Sequence, residues 1–267
     1  MAVQSADLNV MIKAAEKAAR SLIRDFGEVE QLQVSQKGPG DFVSAADRRA
    51  EQIIHDELSH ARPNYGFLME ESGAIPGKGN DDNKRFIIDP LDGTTNFLHG
   101  IPHWAISIAL EVNDEITIGL VYDPVKDEMF TAEKGGGAFF ARRKRLRVSG
   151  RRDLMMSTIA CGAPRRAVEK QQRFVKEYKA VLNVAPGIRR FGAAALDLAY
   201  VAAGRYEGFW ERDLKAWDVA AGVLIVKEAG GFAKDIDTES KNPVETGSVL
   251  AANGDIYPQL KKIIKNA

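Results

Sequence analysis

The first part of the chain shows apolar residues at steps of three and four, the period of an amphipathic helix. One such series consists of Leu8, Met11, Ile12, Ala15, Ala19, Leu22, Ile23 and Phe26. Gly27 follows it as a stop signal. A second series consists of Ala46, Ala50, Ile53, Ile54 and Leu58, and before it Ser44 and Asp47 have the spacing of a capping arrangement. We therefore expect one helix that ends near Gly27 and another that begins at Ser44.

Between residues 86 and 141 the apolar positions alternate with period two, which predicts strands. Segments 86–88, 105–112, 116–122, 129–131 and 138–141 carry this pattern. We expect Pro90 to end the first strand, because proline donates no hydrogen bond to a ladder. Gly135-Gly136-Gly137 is the clearest turn signal in the chain. The pattern as a whole predicts an antiparallel meander.

The second half of the chain alternates strand patterns with helix patterns, which indicates an α/β layer. Predicted strands lie at 157–160, 188–191, 206–210 and 248–251, and predicted helices at 165–182, 193–203, 217–229 and from about 255 onward. We place a boundary near Val148, after a run of basic residues. Residues 1–147 are then an α+β unit with most of the candidate site, and residues 148–267 are an α/β unit that completes it.

The composition is that of an ordinary globular protein. Its 37 basic and 37 acidic side chains give a formal net charge of zero, so the charge does not favour nucleic acid or an anionic membrane. Hydrophobic residues make up 45% and charged residues 28%, which excludes a disordered chain. No apolar stretch approaches the roughly 18 residues of a membrane span, and the amino terminus does not resemble an export signal. We expect a soluble, cytoplasmic protein.

The densest chemical signal is the segment Asp89 to Phe97, which reads DPLDGTTNF. Two carboxylates and a backbone carbonyl around a sharp turn can surround one hard cation, and magnesium prefers such oxygen ligands. Gly93 and Thr94 then open a short helix, where backbone amides can bind phosphate. The alternative is an ordinary turn at a strand end, because aspartate, proline and glycine are common in turns.

Further acids stand at the ends of predicted elements. Glu70 follows the apolar piece 67–69, and Asp47 and Asp218 lie in the first turns of predicted helices. Each of these acids also has a capping explanation, because helix starts favour carboxylates by about 0.3–1 kcal/mol. Metal binding and capping both remain open for Asp47 and Asp218 on this evidence alone.

Taken together, these segments resemble the signatures of the inositol monophosphatase family. Residues 89–102 match the pattern DPxDGTxNFxxxxP, and residues 217–231 match WDxAAGxxxxxEAGG. Lys37, residues 41–47 and Glu70-Glu71-Ser72 occupy the expected earlier positions. The resemblance runs from about Lys37 to Gly254. It implies a magnesium-dependent, lithium-sensitive phosphatase with the layered αβαβα sandwich that is shared with fructose bisphosphatase.

The resemblance also implies a role for each matching residue. Glu70, Asp89 and the Leu91 carbonyl would hold a first magnesium ion. Asp89, Asp92 and Asp218 would hold a second, and Glu70 would reach a third if there is one. In such a two-metal site the ions neutralise the phosphate ester and lower the pKa of an attacking water. Two or three magnesium ions are therefore the expected cofactors.

The same resemblance assigns catalysis to Asp47, Thr94 and Glu70. Thr94 would orient the attacking water, and Asp47 would accept its proton. The amides of Gly93 and Thr94 would hold phosphate oxygens. No histidine, serine or cysteine nucleophile is needed, so we expect direct attack by water without a phosphoenzyme.

The alcohol half of the substrate is expected to meet Glu211, Gly192 and Ala194. Glu211 stands where the family places a carboxylate that binds inositol hydroxyls, and Gly192 to Ala194 resemble a turn whose backbone faces the sugar. Ala193 replaces the serine of many relatives, so one polar contact is missing. We expect hydrolysis of inositol monophosphate or a related polyol phosphate, with histidinol phosphate, fructose bisphosphate and nucleotide 3′-phosphates as alternatives. The family resemblance also favours a homodimer.

Two remaining features have simple structural interpretations. The basic run Arg142–Arg147 suggests a module that docks RNA or an acidic protein, but a solvated hairpin tip explains it as well. We therefore do not expect nucleic acid as a partner. Cys161 is the single cysteine, which excludes an internal disulfide, and we expect it to be a core residue.

Overall fold

The computed structural model describes residues 4–28, 34–38, 41–141, 143–164 and 167–267. For residues 34–38 and 41–44 it describes the backbone. The predicted cap at Ser44, the side chains of Lys37 and Asp41, and Arg142 therefore lie outside the described part.

The first half contains two long helices followed by strands. Its elements are α1 Ala6–Phe26, β1 Val34–Gly38, β2 Asp41–Ser44, α2 Ala45–Ala61, β3 Gly66–Met69, β4 Gly73–Ile75, β5 Lys84–Asp92, α3 Thr94–Leu98, β6 Ala105–Val112, β7 Glu115–Asp123, β8 Glu128–Glu133, β9 Gly137–Phe140 and β10 Lys144–Arg145. The predicted helix ends and the predicted meander are confirmed.

The second half alternates strands and helices, as its pattern predicts. Its elements are β11 Thr158–Cys161, α4 Val168–Leu182, β12 Gly187–Arg189, α5 Ala194–Ala202, β13 Gly208–Glu211, α6 Ala216–Glu228, β14 Phe232–Lys234, α7 Pro243–Thr246, β15 Val249–Ala252 and α8 Ile256–Lys265. Single 3₁₀ turns lie at Gly79–Asp81 and Leu154–Met156. The strand β14 and the short helix α7 are not among the predicted elements.

The strands form two large sheets. The first has eight strands in the order β10-β9-β8-β7-β6-β5-β3-β4, and β3 with β5 is its parallel pair. The second has five strands in the order β12-β11-β13-β15-β14, in which β11 runs parallel to both of its neighbours. A separate hairpin pairs β1 with β2.

The helices complete five layers. The helices α1 and α2 pack on the outer face of the large sheet, α5 and α6 lie between the two sheets, and α4 and α8 pack on the outer face of the small sheet. All nine residues of α5 are buried, as a helix in a central layer requires. The expected αβαβα sandwich is confirmed.

The two faces of the large sheet carry different side chains. In β6, Ile106, Ile108 and Leu110 belong to the core under α1 and α2, whereas Ala105 and Ala109 belong to the core around α5 and α6. Small residues on the second face let the central helices approach closely. At Gly119 in β7, a Cβ atom would lie 2.7 Å from the Ala221 carbonyl oxygen of α6.

The core around α5 and α6 contains residues from both halves of the chain, from Ile87 to Ala251. The division into units 1–147 and 148–267 stays a prediction.

The prediction that Pro90 ends its strand is wrong. The strand β5 continues to Asp92, but its pairing with β6 shifts between the pairs Asp89↔Ser107 and Asp92↔Ala105. Such a bulge leaves positions out of the ladder, so the missing N–H of a proline costs little there. The irregular strand end carries both carboxylates of the DPLD segment.

Candidate active site

The acids of the first half meet because β3 and β5 are parallel neighbours. Met69 at the end of β3 pairs with Ile88, one residue before Asp89. The Glu70 N–H donates to the Ile88 carbonyl at 3.3 Å, so Glu70 leaves its strand beside the bulge of β5. Carboxyl ends of parallel strands share one edge of the sheet, and here that edge brings Glu70 next to Asp89.

Asp47 joins this group from the first turn of α2. One carboxylate oxygen from each of Asp47, Glu70 and Glu71 lies within 4.8 Å of the others. Glu51, one helical turn after Asp47, accepts the Glu71 N–H at 2.8 Å and the Ser72 hydroxyl at 2.5 Å. Glu51 is buried and fixes the loop that presents Glu70, a role that sequence reasoning missed.

Asp89 is buried at the centre of the group. Its Oδ1 accepts the Leu91 N–H at 2.9 Å, which closes the turn inside the bulge. Burial raises the pKa of Asp89 well above its ordinary value, and the nearby charges of Glu70, Asp92, Asp218 and Asp47 raise it further. The carboxylates that the sequence singled out therefore converge on one point.

Asp92 and Asp218 connect the two halves of the chain. The Asp92 Oδ2 accepts the Ala195 N–H from the start of α5 at 2.7 Å, a contact across 103 residues. Burial raises the pKa of Asp92, and so does the neighbouring charge of Asp218. The Asp218 Oδ2 accepts the Lys215 N–H at 2.7 Å, so Asp218 does cap α6.

Thr94 lies between the acids and the short helix α3. Its hydroxyl Oγ1 is 3.0 Å from the Leu91 carbonyl oxygen and 3.4 Å from Asp47 Oδ2. Gly93 before it has φ +96, and a Cβ there would lie 3.1 Å from the His103 carbonyl oxygen. Glycine is therefore required at 93 for both conformation and space.

Divalent cations fit this donor set. Its side chains offer oxygen alone, which suits hard ions such as magnesium. Several carboxylates that are buried together repel one another, and this repulsion contributes to the raised pKa values of Asp89 and Asp92. A bound cation would remove the repulsion, whereas capping alone gives no reason to bring so many acids together.

A cavity of about 420 Å³ opens beside the acids. Its lining includes Glu70, Thr94, Glu211, Lys215 and Asp218, so residues from both halves of the chain form its wall. Glu211 is the last residue of β13, one residue beyond the predicted strand. Gly192 and Ala194 lie at the entry to α5, whose Ala195 N–H binds Asp92, but they are outside the cavity lining.

Asp197 is a buried acid that sequence reasoning missed. Neither of its carboxylate oxygens has a hydrogen bond among the described residues. Burial raises its pKa well above the ordinary value, and the charges of Glu211 and Asp92 raise it further. In the sequence Asp197 looks like an ordinary first-turn acid of α5, so no local signal distinguishes it.

Cys161 is a core residue, as expected, and His103 is also structural. Cys161 is fully buried, and burial raises the pKa of its thiol to about 12, so the reactive thiolate does not form near neutral pH. His103 packs against Phe191, and burial lowers its pKa to about 4. Both residues remain uncharged at neutral pH.

A five-layered sandwich with buried carboxylates at its sheet edges has the architecture of a metal-dependent phosphatase. Residues 4–267 match the inositol monophosphatase family, and the chain belongs to that family. The predicted family and the predicted enzyme class are confirmed. No described helix is long and apolar enough to cross a membrane.

Individual relatives agree with this assignment. Inositol-1-monophosphatase of Mesorhizobium japonicum is 56% identical over 262 residues, which are 98% of this chain and 97% of that protein. Nus factor SuhB of Pseudomonas aeruginosa is 42% identical over 97% of this chain and 95% of its own length. The crystal structure of extragenic suppressor protein SuhB from Bartonella henselae is 54% identical, with a TM-score of 0.94 over 98% of this chain and 100% of that chain.

Proposed function

We propose that this chain uses magnesium to hydrolyse inositol monophosphate or a related polyol phosphate. The observation that carries the proposal is one cavity whose lining includes Glu70, Asp218 and Thr94 together with Glu211. The first set suits a metal ion and a phosphate group, and the second suits an alcohol with several hydroxyls.

Two ions account for the placement of the acids. Glu70, Asp89 and the Leu91 carbonyl would hold one ion, and Asp89, Asp92 and Asp218 would hold the other. The approach of Asp47, Glu70 and Glu71 within 4.8 Å supports a third position. When bound, the ions neutralise the phosphate ester and make phosphorus more electrophilic.

The protein side chains would position the water and take its proton. The Thr94 hydroxyl can orient a water toward phosphorus, and Asp47, 3.4 Å away, can accept the proton. The Gly93 and Thr94 amides at the start of α3 would hold phosphate oxygens. Glu70 would assist this proton transfer, because its carboxylate lies near Asp47 and its charge acts on Asp89.

Glu211 would recognise the alcohol. A carboxylate accepts hydrogen bonds, so it suits neighbouring hydroxyls of a polyol. Gly192 and Ala194 would offer backbone groups at the entry to α5. Ala193 is fully buried and lacks the hydroxyl that a serine at this position would offer.

A phosphate-release panel tests this function. With magnesium, we expect inositol 1-phosphate to be hydrolysed faster than histidinol phosphate, fructose bisphosphate or adenosine 3′,5′-bisphosphate. Excess chelator should abolish release, and added magnesium should restore it, because the donor set is made of oxygen atoms that need a hard cation. Full activity in chelator with no metal detected would contradict the proposal, and a faster competitor would replace the assigned substrate.

Three finer expectations rest on the resemblance and stay predictions: inhibition by lithium, cytoplasmic localisation and a homodimer. The homodimer has some structural support. Ile101 and Phe191 are 47% and 44% exposed, which is high for large apolar side chains. The Asn96 side chain donates to the Phe191 carbonyl at 2.7 Å, so the two segments are held together.

A second candidate function is docking to RNA or to an acidic protein. The observation that favours it is the group of exposed residues Arg143, Lys144, Arg145 and Arg147 at the end of the hairpin β9–β10. If the basic run docks RNA, the protein should retain RNA, and this retention should fall with added salt. A variant with Arg142, Arg143, Lys144 and Arg145 neutralised should lose the retention. Equal retention by this variant and the unchanged protein would end the hypothesis.

A further inference from the structure

Gly162 and Glu211 lie side by side at the ends of neighbouring strands. The strands β11 and β13 are parallel, and their last registered pair is Cys161↔Trp210. The Gly162 N–H donates to the Trp210 carbonyl at 3.2 Å, so the alignment continues one residue past that pair. Neighbouring strands are about 4.8 Å apart, so a side chain at 162 would stand directly beside that of Glu211.

The Glu211 carboxylate occupies the space where a side chain at 162 would be. A Cβ atom on Gly162 would lie 1.7 Å from the carboxyl carbon of Glu211 and 1.9 Å from each of its oxygens. Real Cβ contacts are essentially never shorter than 3.0 Å. No residue other than glycine at 162 is compatible with this position of the carboxylate.

The conflict at Gly162 differs from the close approach at Gly119. At Gly119 the nearest atoms are the backbone of Ala221, so a side chain there would force two layers apart. At Gly162 the nearest atoms are the end of one flexible side chain. A substitution at 162 can therefore be accommodated if the Glu211 side chain rotates away. The substitution should then disturb the substrate pocket more than the stability of the fold.

Ion pairs fix the backbone next to Glu211. Arg212, the next residue, donates to Glu177 at 2.8 Å and to Asp237 at 3.2 Å. Arg173 donates to Glu177 at 3.0 Å and to the same Asp237 oxygen at 2.5 Å. This network holds the backbone at the end of β13 in place.

We propose that Gly162 is a positioning residue for substrate selection. Its missing side chain seats the Glu211 carboxylate where the hydroxyls of a polyol phosphate reach it. The inference rests on the proposed function, in which Glu211 accepts those hydroxyls. The three nearest heavy atoms to a Cβ at Gly162 all belong to Glu211 and none to the Asp89 to Thr94 segment. Alcohol selection can therefore be tested separately from phosphate chemistry.

The test compares a polyol ester with an ester that has no hydroxyls on its alcohol. Gly162→Ala should raise the KM for inositol 1-phosphate about 10- to 100-fold, the range expected for a lost hydrogen bond to a charged group. The ratio of kcat/KM for inositol 1-phosphate to that for p-nitrophenyl phosphate should fall by at least about tenfold. Gly150→Ala is the matched control, because a Cβ at Gly150 has open space and should leave the ratio unchanged.

A double substitution separates positioning from general damage. In a Glu211→Ala background the obstructing carboxylate is gone, so adding Gly162→Ala should change the ratio by less than about twofold. If Gly162→Ala alone fails to fold, the double variant should fold, because the side chain that conflicts with the new Cβ is absent. A further large loss in the double variant, or failure of both variants to fold, would overturn the inference.

The outcomes also distinguish this inference from the proposed function. If Glu211→Ala removes the preference for inositol 1-phosphate and Gly162→Ala keeps it, the positioning role is wrong and the proposed function stands. If the unchanged enzyme shows no preference, or Glu211→Ala keeps it, the proposed role of Glu211 fails and the inference fails with it.

Discussion

Asp92→Asn and Asp218→Asn are each expected to lower magnesium-dependent phosphate release by more than about a hundredfold. Loss of a residue that only supports a metal ligand costs about 10- to 100-fold in activity, so loss of a ligand should cost more. Asparagine keeps the size of aspartate and one acceptor oxygen. The hydrogen bonds from Ala195 to residue 92 and from Lys215 to residue 218 can therefore persist. The measurement is kcat at saturating magnesium.

The metal-free stability of these variants should move in the opposite direction. The pKa of Asp92 is raised in the folded protein, so protonation of Asp92 stabilises the fold. This stabilisation is lost as the pH rises above the pKa that the residue has in the unfolded chain. Asparagine carries no charge at any pH. The Tm of metal-free Asp92→Asn should therefore equal or exceed that of the unchanged protein. The difference should grow as the pH rises from the pKa of this aspartate in the unfolded chain toward its raised pKa in the folded protein.

Asp153→Asn is a matched control for capping. The Asp153 Oδ1 accepts the Met155 N–H at 2.9 Å and so caps the 3₁₀ turn Leu154–Met156. This turn precedes β11, whereas Gly162 follows the other end of that strand. This variant should keep its activity. If Asp92→Asn and Asp218→Asn behave in the same way, these acids are caps, and the two-ion assignment is wrong for them.

Thr94→Ala should reduce turnover by about 10²- to 10⁴-fold, the usual value of assistance by a general base. The substitution removes the hydroxyl that lies 3.4 Å from Asp47 but keeps the backbone amide that would bind phosphate. The loss should therefore appear in kcat more than in KM or in apparent magnesium affinity. Thr94→Ser should recover most of the activity, because the hydroxyl returns.

The partnership with Asp47 gives a second readout. If Thr94 and Asp47 act as one unit, the double variant Thr94→Ala with Asp47→Asn should lose little more than either single variant. Normal kcat with a raised KM in Thr94→Ala would show that Thr94 holds phosphate and does not orient water.

The local chemistry of the site was predictable because it is concentrated in short segments. The DPLDGT segment combines a strand end, two carboxylates and a glycine at positive φ within six residues, and each feature has a local sequence signal. The error at Pro90 has a local cause as well. A proline excludes a regular ladder position, but the sequence does not show that a bulge will remove that position from the ladder.

Other parts of the site depend on contacts that no local pattern contains. Asp92 meets α5 across 103 residues, and Asp197 is buried by packing between layers. Glu51 resembles any acid on a helix until the loop after β3 is placed against it. The proposed role of Gly162 follows from the register of β11 and β13, which places it beside Glu211. These residues were missed because tertiary packing determines their surroundings.

Anomalous diffraction from a crystal grown with manganese would test the central claim most directly, because manganese shares the oxygen ligands of magnesium and can be located by its own signal. We expect one peak held by Glu70, Asp89 and the Leu91 carbonyl, and a second held by Asp89, Asp92 and Asp218. Well-occupied manganese elsewhere in the chain, with no peak at these carboxylates, would contradict the account.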